Sequence, residues 1–156
     1  MRHCRYTAER FVTLLQAMPA EVRARVDERV RRDLDPRYVE HGEPCCLVAY
    51  LLLEAGVEQR TLRDLDREMT AGAGTVELRH SRHPFWSRFE PSARQLLEFL
   101  QIIQDYGRTW GEVADEALTP EPARGLFGVR WGSRYPSGRP WLAVAADSDV
   151  IWTGSR

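Results

Sequence analysis

Apolar residues along this chain recur mostly at three- and four-residue spacing, the period of helices that turn one face to a core. After Thr7, a residue type suited to an N-cap, Phe11, Leu14, Leu15 and Met18 mark a first helix to about residue 18. Pro19 opens a second, in which Val22, Val26, Val30 and Leu34 draw a narrow stripe through charged neighbours, the pattern of a helix on the outside of a bundle. Asp35 and Pro36 end it, because the residue before proline is pushed out of the helical region. A polar connection over 37–43 follows. Residues 44–56, P-C-C-L-V-A-Y-L-L-L-E-A-G, then have no polar face, so the helix they predict, about 44–55, needs other helices around it. Pro44 suits its first turn and Gly56 the left-handed position after its last. It is too short to cross a bilayer, which takes about 20 apolar residues.

Thr61 with Asp64 resembles a capping box for a short helix carrying Leu62, Leu65 and Met69. The next stretch has no helical period, contains Gly72 and Gly74, and reads as a loop anchored by Phe85, Trp86 and Phe89. Ser92 with Gln95 caps a helix of Leu96, Leu97, Phe99, Leu100, Ile102 and Ile103, closed by Gly107. Thr109 with Glu112 repeats the signature for a helix through Trp110, Val113 and Leu118. Beyond 118–122 the pattern changes to G-L-F-G-V-R-W, P-W-L-A-V-A-A and V-I-W-T, short aromatic and β-branched runs separated by turn signals. The expected fold is mainly α: a compact helical bundle around the central helix, with a small C-terminal β-meander. Residues 1–118 would form the helical domain and 119–156 a β appendage packed on it, since so small a sheet is marginal alone.

The chain has 156 residues, enough for one substantial core, and a formal net charge of -1, which gives no global reason to expect nucleic acid or an anionic surface as partner. All 22 basic residues are Arg, a bias that a GC-rich genome produces without functional cause. Residues 1–37 hold nine Arg against six acids, 38–118 eight against fourteen, and the remainder five against three, so the middle is acidic. The first residues lead into no apolar secretory segment, which points to the cytoplasm. Three cysteines, Cys4 and the adjacent Cys45 and Cys46, are an odd number and are expected to be reduced, buried thiols.

His41, Cys45 and Cys46 cluster around the start of the central helix, where the helix dipole favours a thiolate. Cys45 as nucleophile with His41 as base is one reading. A metal set of His41, Cys45, His80 and His83 is another, and small core thiols with surface histidines are the third. Residues 48–67 also match a helix-turn-helix at Leu51, Gly56, Val57, Leu62 and Leu65, with Arg60, Thr61, Arg63 and Arg67 as nucleic-acid contacts. Against that reading, Leu52 stands where the motif has a small residue, and acids outnumber arginines in the would-be recognition helix. An ordinary helical hairpin explains the same pattern. No glycine-rich phosphate loop, H-E-x-x-H, calcium loop or G-x-S-x-G elbow appears, which argues against catalysis and gives no cofactor to expect. The C-terminal set Trp131, Arg134, Tyr135, Arg139, Trp141 and Trp152 would either anchor a protein partner or cover the helical core.

Two runs, Y-V-E-H-G-E-P-C-C-L-V-A-Y-L-L and L-L-E-F-L-Q-I-I-Q-D-Y-G-R-T-W-G-E-V-A-D-E-A, resemble a set of small, functionally uncharacterised helical proteins of actinobacteria and their phages. Those share a G-x-P-x-C-L-V helix start and a Q-D-x-G-x-T-W-x-x-A helix end. The resemblance spans 38–118, implies a high-GC source and carries over no catalytic residue. The function expected is that of a non-catalytic protein-interaction or regulatory protein. A DNA-binding regulator or a metal-binding protein are the alternatives, and no membrane partner is expected.

Overall fold

The computed structural model describes residues 5–32, 34, 37–71, 83–104 and 107–118, the side chains of 69–71 and 102 excepted. Within them the chain is mostly helical with one small antiparallel hairpin. The expected C-terminal meander, and with it the division at 118, lies outside the described residues.

Helix α1 (Ala8–Gln16) starts where the pattern places it: the Thr7 hydroxyl accepts the Arg10 amide at 3.3 Å, and Phe11, Val12 and Leu15 are buried. Its approach is pinned by Arg5 N–H to the Arg88 carbonyl (2.9 Å) and Glu90 N–H to the Tyr6 carbonyl (3.1 Å). There Tyr6 stacks on Phe89 at 4.5 Å, with Phe85 and Trp86 5.0 Å or less from the same ring. The aromatic anchor read from the sequence thus holds the N-terminal segment, through a 3-10 turn at Pro84–Arg88.

The second helix is two. Val22, Val26, Val30 and Leu34 keep a helical period, yet α2 (Ala20–Arg23) and α3 (Glu28–Arg31) are separate single turns. At the break the Arg25 carbonyl accepts the Trp110 amide at 2.8 Å and Val26 pairs with Thr109 as an antiparallel bridge. Asp27 then starts α3 afresh, its carboxylate accepting Arg29 and Val30 amides at 3.0 and 3.1 Å. A tertiary partner for the backbone has overridden the local period, and the valine stripe stays only half-buried.

The supposed connection at 37–43 contains a strand pair, β1 (Val39–Glu40) and β2 (Glu43–Pro44). Pro44 therefore ends a strand instead of opening a helix. Helix α4 (Leu47–Glu54) begins three residues later than expected, with Cys46 as its N-cap. Leu47, Val48, Ala49, Leu51 and Leu52 are buried, while Tyr50 and Leu53 are only partly covered. Its end is a Schellman motif: Gly56 (φ +88°) donates to Leu53 and Val57 to Leu52, both at 2.9 Å.

Helix α5 (Gln59–Ala71) starts two residues before Thr61 and buries Leu62 and Leu65. Helix α6 (Pro91–Gln104) has proline, not the serine cap, at its head, and the Glu90 carboxylate beside it accepts both the Ala8 amide and the Ser92 hydroxyl. The Thr109–Glu112 box forms as read, with Thr109 N–H to Glu112 at 2.8 Å and Glu112 N–H to Thr109 at 3.2 Å, opening α7 (Trp110–Leu118). Helix α4 packs against α1 and α6, and the buried side chains of α1, α4, α5, α6 and α7 form one cluster.

Candidate functional site

A cleft of about 490 Å³ lies between the α2–α3 junction and the β1–β2 hairpin. The hairpin is set by its turn, where His41 (φ +50°) and Gly42 (φ +84°) are both left-handed, as the tight turn that matches strand twist requires. Helix α5 holds it from behind. The Asp66 carboxylate accepts the Tyr38 and Val39 amides at 2.6 and 3.2 Å, and the Gln59 amide donates to the Gly42 carbonyl.

The facing wall is tied across by two arginines. Arg25 donates to the Pro44 carbonyl at 2.9 Å while its guanidinium lies 4.5 Å from the centre of the Trp110 ring. Arg29 pairs with Glu40 at 2.8 Å, its side chain only 12% exposed, so this bridge is better shielded than the surface pairs elsewhere. Glu28, Glu43, His41 and Cys45 complete the polar lining.

The two thiols part company here. Cys46 is buried, its sulfur accepting the Ala49 amide at 3.4 Å, and burial pushes its pKa well up despite that bond. Cys45, expected to be buried like its neighbour, is half-buried and lines the cleft, because α4 starts only at Leu47 and leaves it on the segment that follows the hairpin. Its pKa is pushed up to about 11, first by desolvation and then by the Glu40 carboxylate, with Arg29 only partly opposing. The helix-dipole argument for a thiolate loses to burial, which favours the protonated form of both sulfurs. Asp27, buried at the head of α3, also has its pKa raised by burial, against the pull of the two amides it caps.

Of the candidate metal set, His41 and Cys45 line the cleft, whereas the His83 ring nitrogen accepts the Phe85 amide at 3.2 Å as the cap of the 3-10 turn. His80 lies outside the described residues. Among the described residues no three His, Cys, Asp or Glu side chains come together to hold a metal. Arg60, Arg63 and Arg67 lie exposed on α5, where Arg60 pairs with Glu58, Arg67 with Asp64 at 3.0 Å, and Arg63 donates to Gln59 at 3.3 Å. Thr61 is half-exposed in its first turn. Trp131, Arg134, Tyr135, Arg139, Trp141 and Trp152 are outside the described residues.

Arg25, Glu28, Arg29, Glu40 and Glu43 were absent from the sequence-derived site. The available signal was the His41-Gly42 dipeptide after Tyr38-Val39, a glycine where a tight turn needs a left-handed residue behind two strand-favouring ones. Comparison of the chain with family models, curated proteins and solved structures finds no match.

Proposed function

We propose that this chain is a non-catalytic protein-interaction or regulatory protein, and that the cleft between the α2–α3 junction and the hairpin is where its partner docks. In this reading the helices act together as one bundle, a scaffold that carries the cleft on its outside. The observation that supports it is the cleft's construction. Its walls are braced by Arg25 to Pro44 and Arg29 to Glu40, so the opening is preformed, which lowers the ordering cost of binding. Burial raises the Cys45 pKa to about 11, which weighs against thiolate chemistry in the cleft.

The DNA-binding alternative draws less support: Arg60 and Arg67 already face Glu58 and Asp64, so the exposed side of α5 is mixed in charge. The test is comparative. Full-length protein, an Ala24→Tyr variant that fills the cleft, and a control Glu9→Gln, exposed on α1 and outside the cleft lining, are each used to capture proteins from a lysate of the source organism. The expected result is a protein kept by the first and third and lost with Ala24→Tyr, at unchanged melting temperature. Identical captured sets from all three would overturn the reading.

A further inference from the structure

Helix α3 is a lightly held piece of the cleft, although Glu28 and Arg29 form part of the lining. It is a single turn of four residues and buries none of them. A lone turn does not sustain itself, because nucleation fixes several residues for one hydrogen bond. Val30 is half-exposed and Leu34, just beyond, is 42% exposed, so little apolar burial holds this stretch down. Its flanks are fixed. On one side Val26 is bridged to Thr109 and Asp27 is buried. On the other, Tyr38 is buried with its amide on Asp66 at 2.6 Å. Between these anchors the seated part of α3 is the largely buried side chain of Arg29, paired across the cleft with Glu40 of β1 at 2.8 Å.

A short element with few buried apolar contacts and fixed ends opens locally at low free-energy cost. We infer that α3 is a strap over the cleft, latched by Arg29 on Glu40 and hinged at Val26 and Asp27, which forms this wall when closed and removes it when open. The inference rests on the docking reading for its purpose: the closed strap is the wall a partner meets, so the open fraction lowers the apparent affinity. The latch suits reversible closure. The Glu40 side chain is 39% exposed, so water competes for it and salt screens it. The rest of the cleft stays in place during opening. The hairpin is held by Asp66 and Gln59 of α5, and the α2 side by Trp110 N–H on the Arg25 carbonyl and by Arg23 on Asp115 at 2.7 Å. Cys45, half-buried in the same cleft and close enough to Arg29 to feel its charge, is the group that opening exposes.

The experiment uses full-length protein. Alkylation of Cys45 by iodoacetamide at one fixed pH, mapped by mass, reads the opening of the strap, and Cys46 in the core reads global unfolding. Arg29→Gln is the deciding variant, because the two effects of losing the guanidinium oppose one another. Arg29 holds the Cys45 pKa down, so its removal alone slows alkylation, whereas an opened strap speeds it. The expected result is alkylation about fivefold faster, with Cys46 still unlabelled and the slow rate restored by exchanging the charges in Arg29→Glu with Glu40→Arg. Amide exchange in the unaltered protein needs no variant. The Arg31 and Arg32 amides, bonded to the Asp27 and Glu28 carbonyls, should exchange about tenfold faster than those of Tyr38 and Trp110 after correction for intrinsic rates. Raising salt to about 1 M should speed the first pair alone. Slower or unchanged Cys45 alkylation in folded Arg29→Gln, Cys46 labelling in step with Cys45, or equal protection of all four amides would each overturn the strap. Neither readout involves a partner. If both fail while Ala24→Tyr loses a captured protein, the strap falls and the docking reading stands. If both succeed with identical captured sets, the strap stands and the docking reading falls.

Discussion

Cys45 and Cys46 are adjacent and chemically identical, yet one faces the cleft and the other caps α4 from inside the core. Their reactivity should split accordingly. With the protein folded, Cys45 is expected to react slowly with a disulfide reagent, at a rate that climbs with pH toward about 11 without levelling off near 8.5. Cys46, 4% exposed, should react only on unfolding. Mass-mapped labelling of the native protein checks both, and fast labelling of Cys45 at pH 7 would contradict the protonated thiol. His41 is the second residue whose setting is unusual, a non-glycine side chain at φ +50°. Asparagine tolerates that region better, so His41→Asn should raise stability by about 0.5–1 kcal/mol, read as a shift in urea midpoint at constant slope. A lower midpoint would mean that the imidazole makes a contact worth more than the backbone strain.

Elements were legible in proportion to how local their causes are. The Thr7 and Thr109 caps and the Gly56 stop were read correctly, because each is a side chain or backbone preference acting within one turn. The split of the valine stripe into α2 and α3 was not, because its cause, Trp110 N–H on the Arg25 carbonyl, comes from more than eighty residues away. The hairpin was hidden for a similar reason. Two-residue strands carry almost no periodic signal, and what holds them is Asp66 of α5. Of the cleft, only His41 and Cys45 were visible beforehand, since charge pairs across elements leave no spacing to read. Two largely buried carboxylates, one a local cap and one a long-range tie, give the pH response. Asp27 and Asp66 both have pKa values raised above 3.8, chiefly by burial. In the interval just above 3.8 the folded chain binds more protons than the unfolded one. The stability these groups contribute is thus full below 3.8 and is lost as pH rises through their folded values. Asp27→Asn, which keeps a capping oxygen without a buried charge, should flatten that part of the stability–pH curve and stabilise the protein at pH 7. Asp27→Ala should cost about 1 kcal/mol through the lost cap. An Asn variant less stable than wild type at pH 7 would show that the ionised carboxylate earns more from its amides than burial takes.

For the molecule as a whole, the decisive contrast is between binding by charge and binding by shape. A formal net charge of -1 supplies no overall attraction to nucleic acid. Any DNA affinity must therefore come from a local cationic face, and the α4–α5 hairpin is the element that sequence would choose. Its exposed arginines, Arg60, Arg63 and Arg67, are interleaved with Glu58 and Asp64, so displacing those carboxylates is part of the cost of meeting phosphate. Three phosphate contacts would give an affinity falling with salt at a log–log slope of about -3. The expectation is no saturable mobility shift on mixed-sequence duplex DNA even at low salt, and no change when all three arginines are replaced by alanine. A shift with that slope, abolished by the triple replacement at unchanged melting temperature, would establish α5 as a DNA-reading helix and displace the cleft from its central place. The opposite pattern would leave the braced opening beside the hairpin as the surface best built to hold something else.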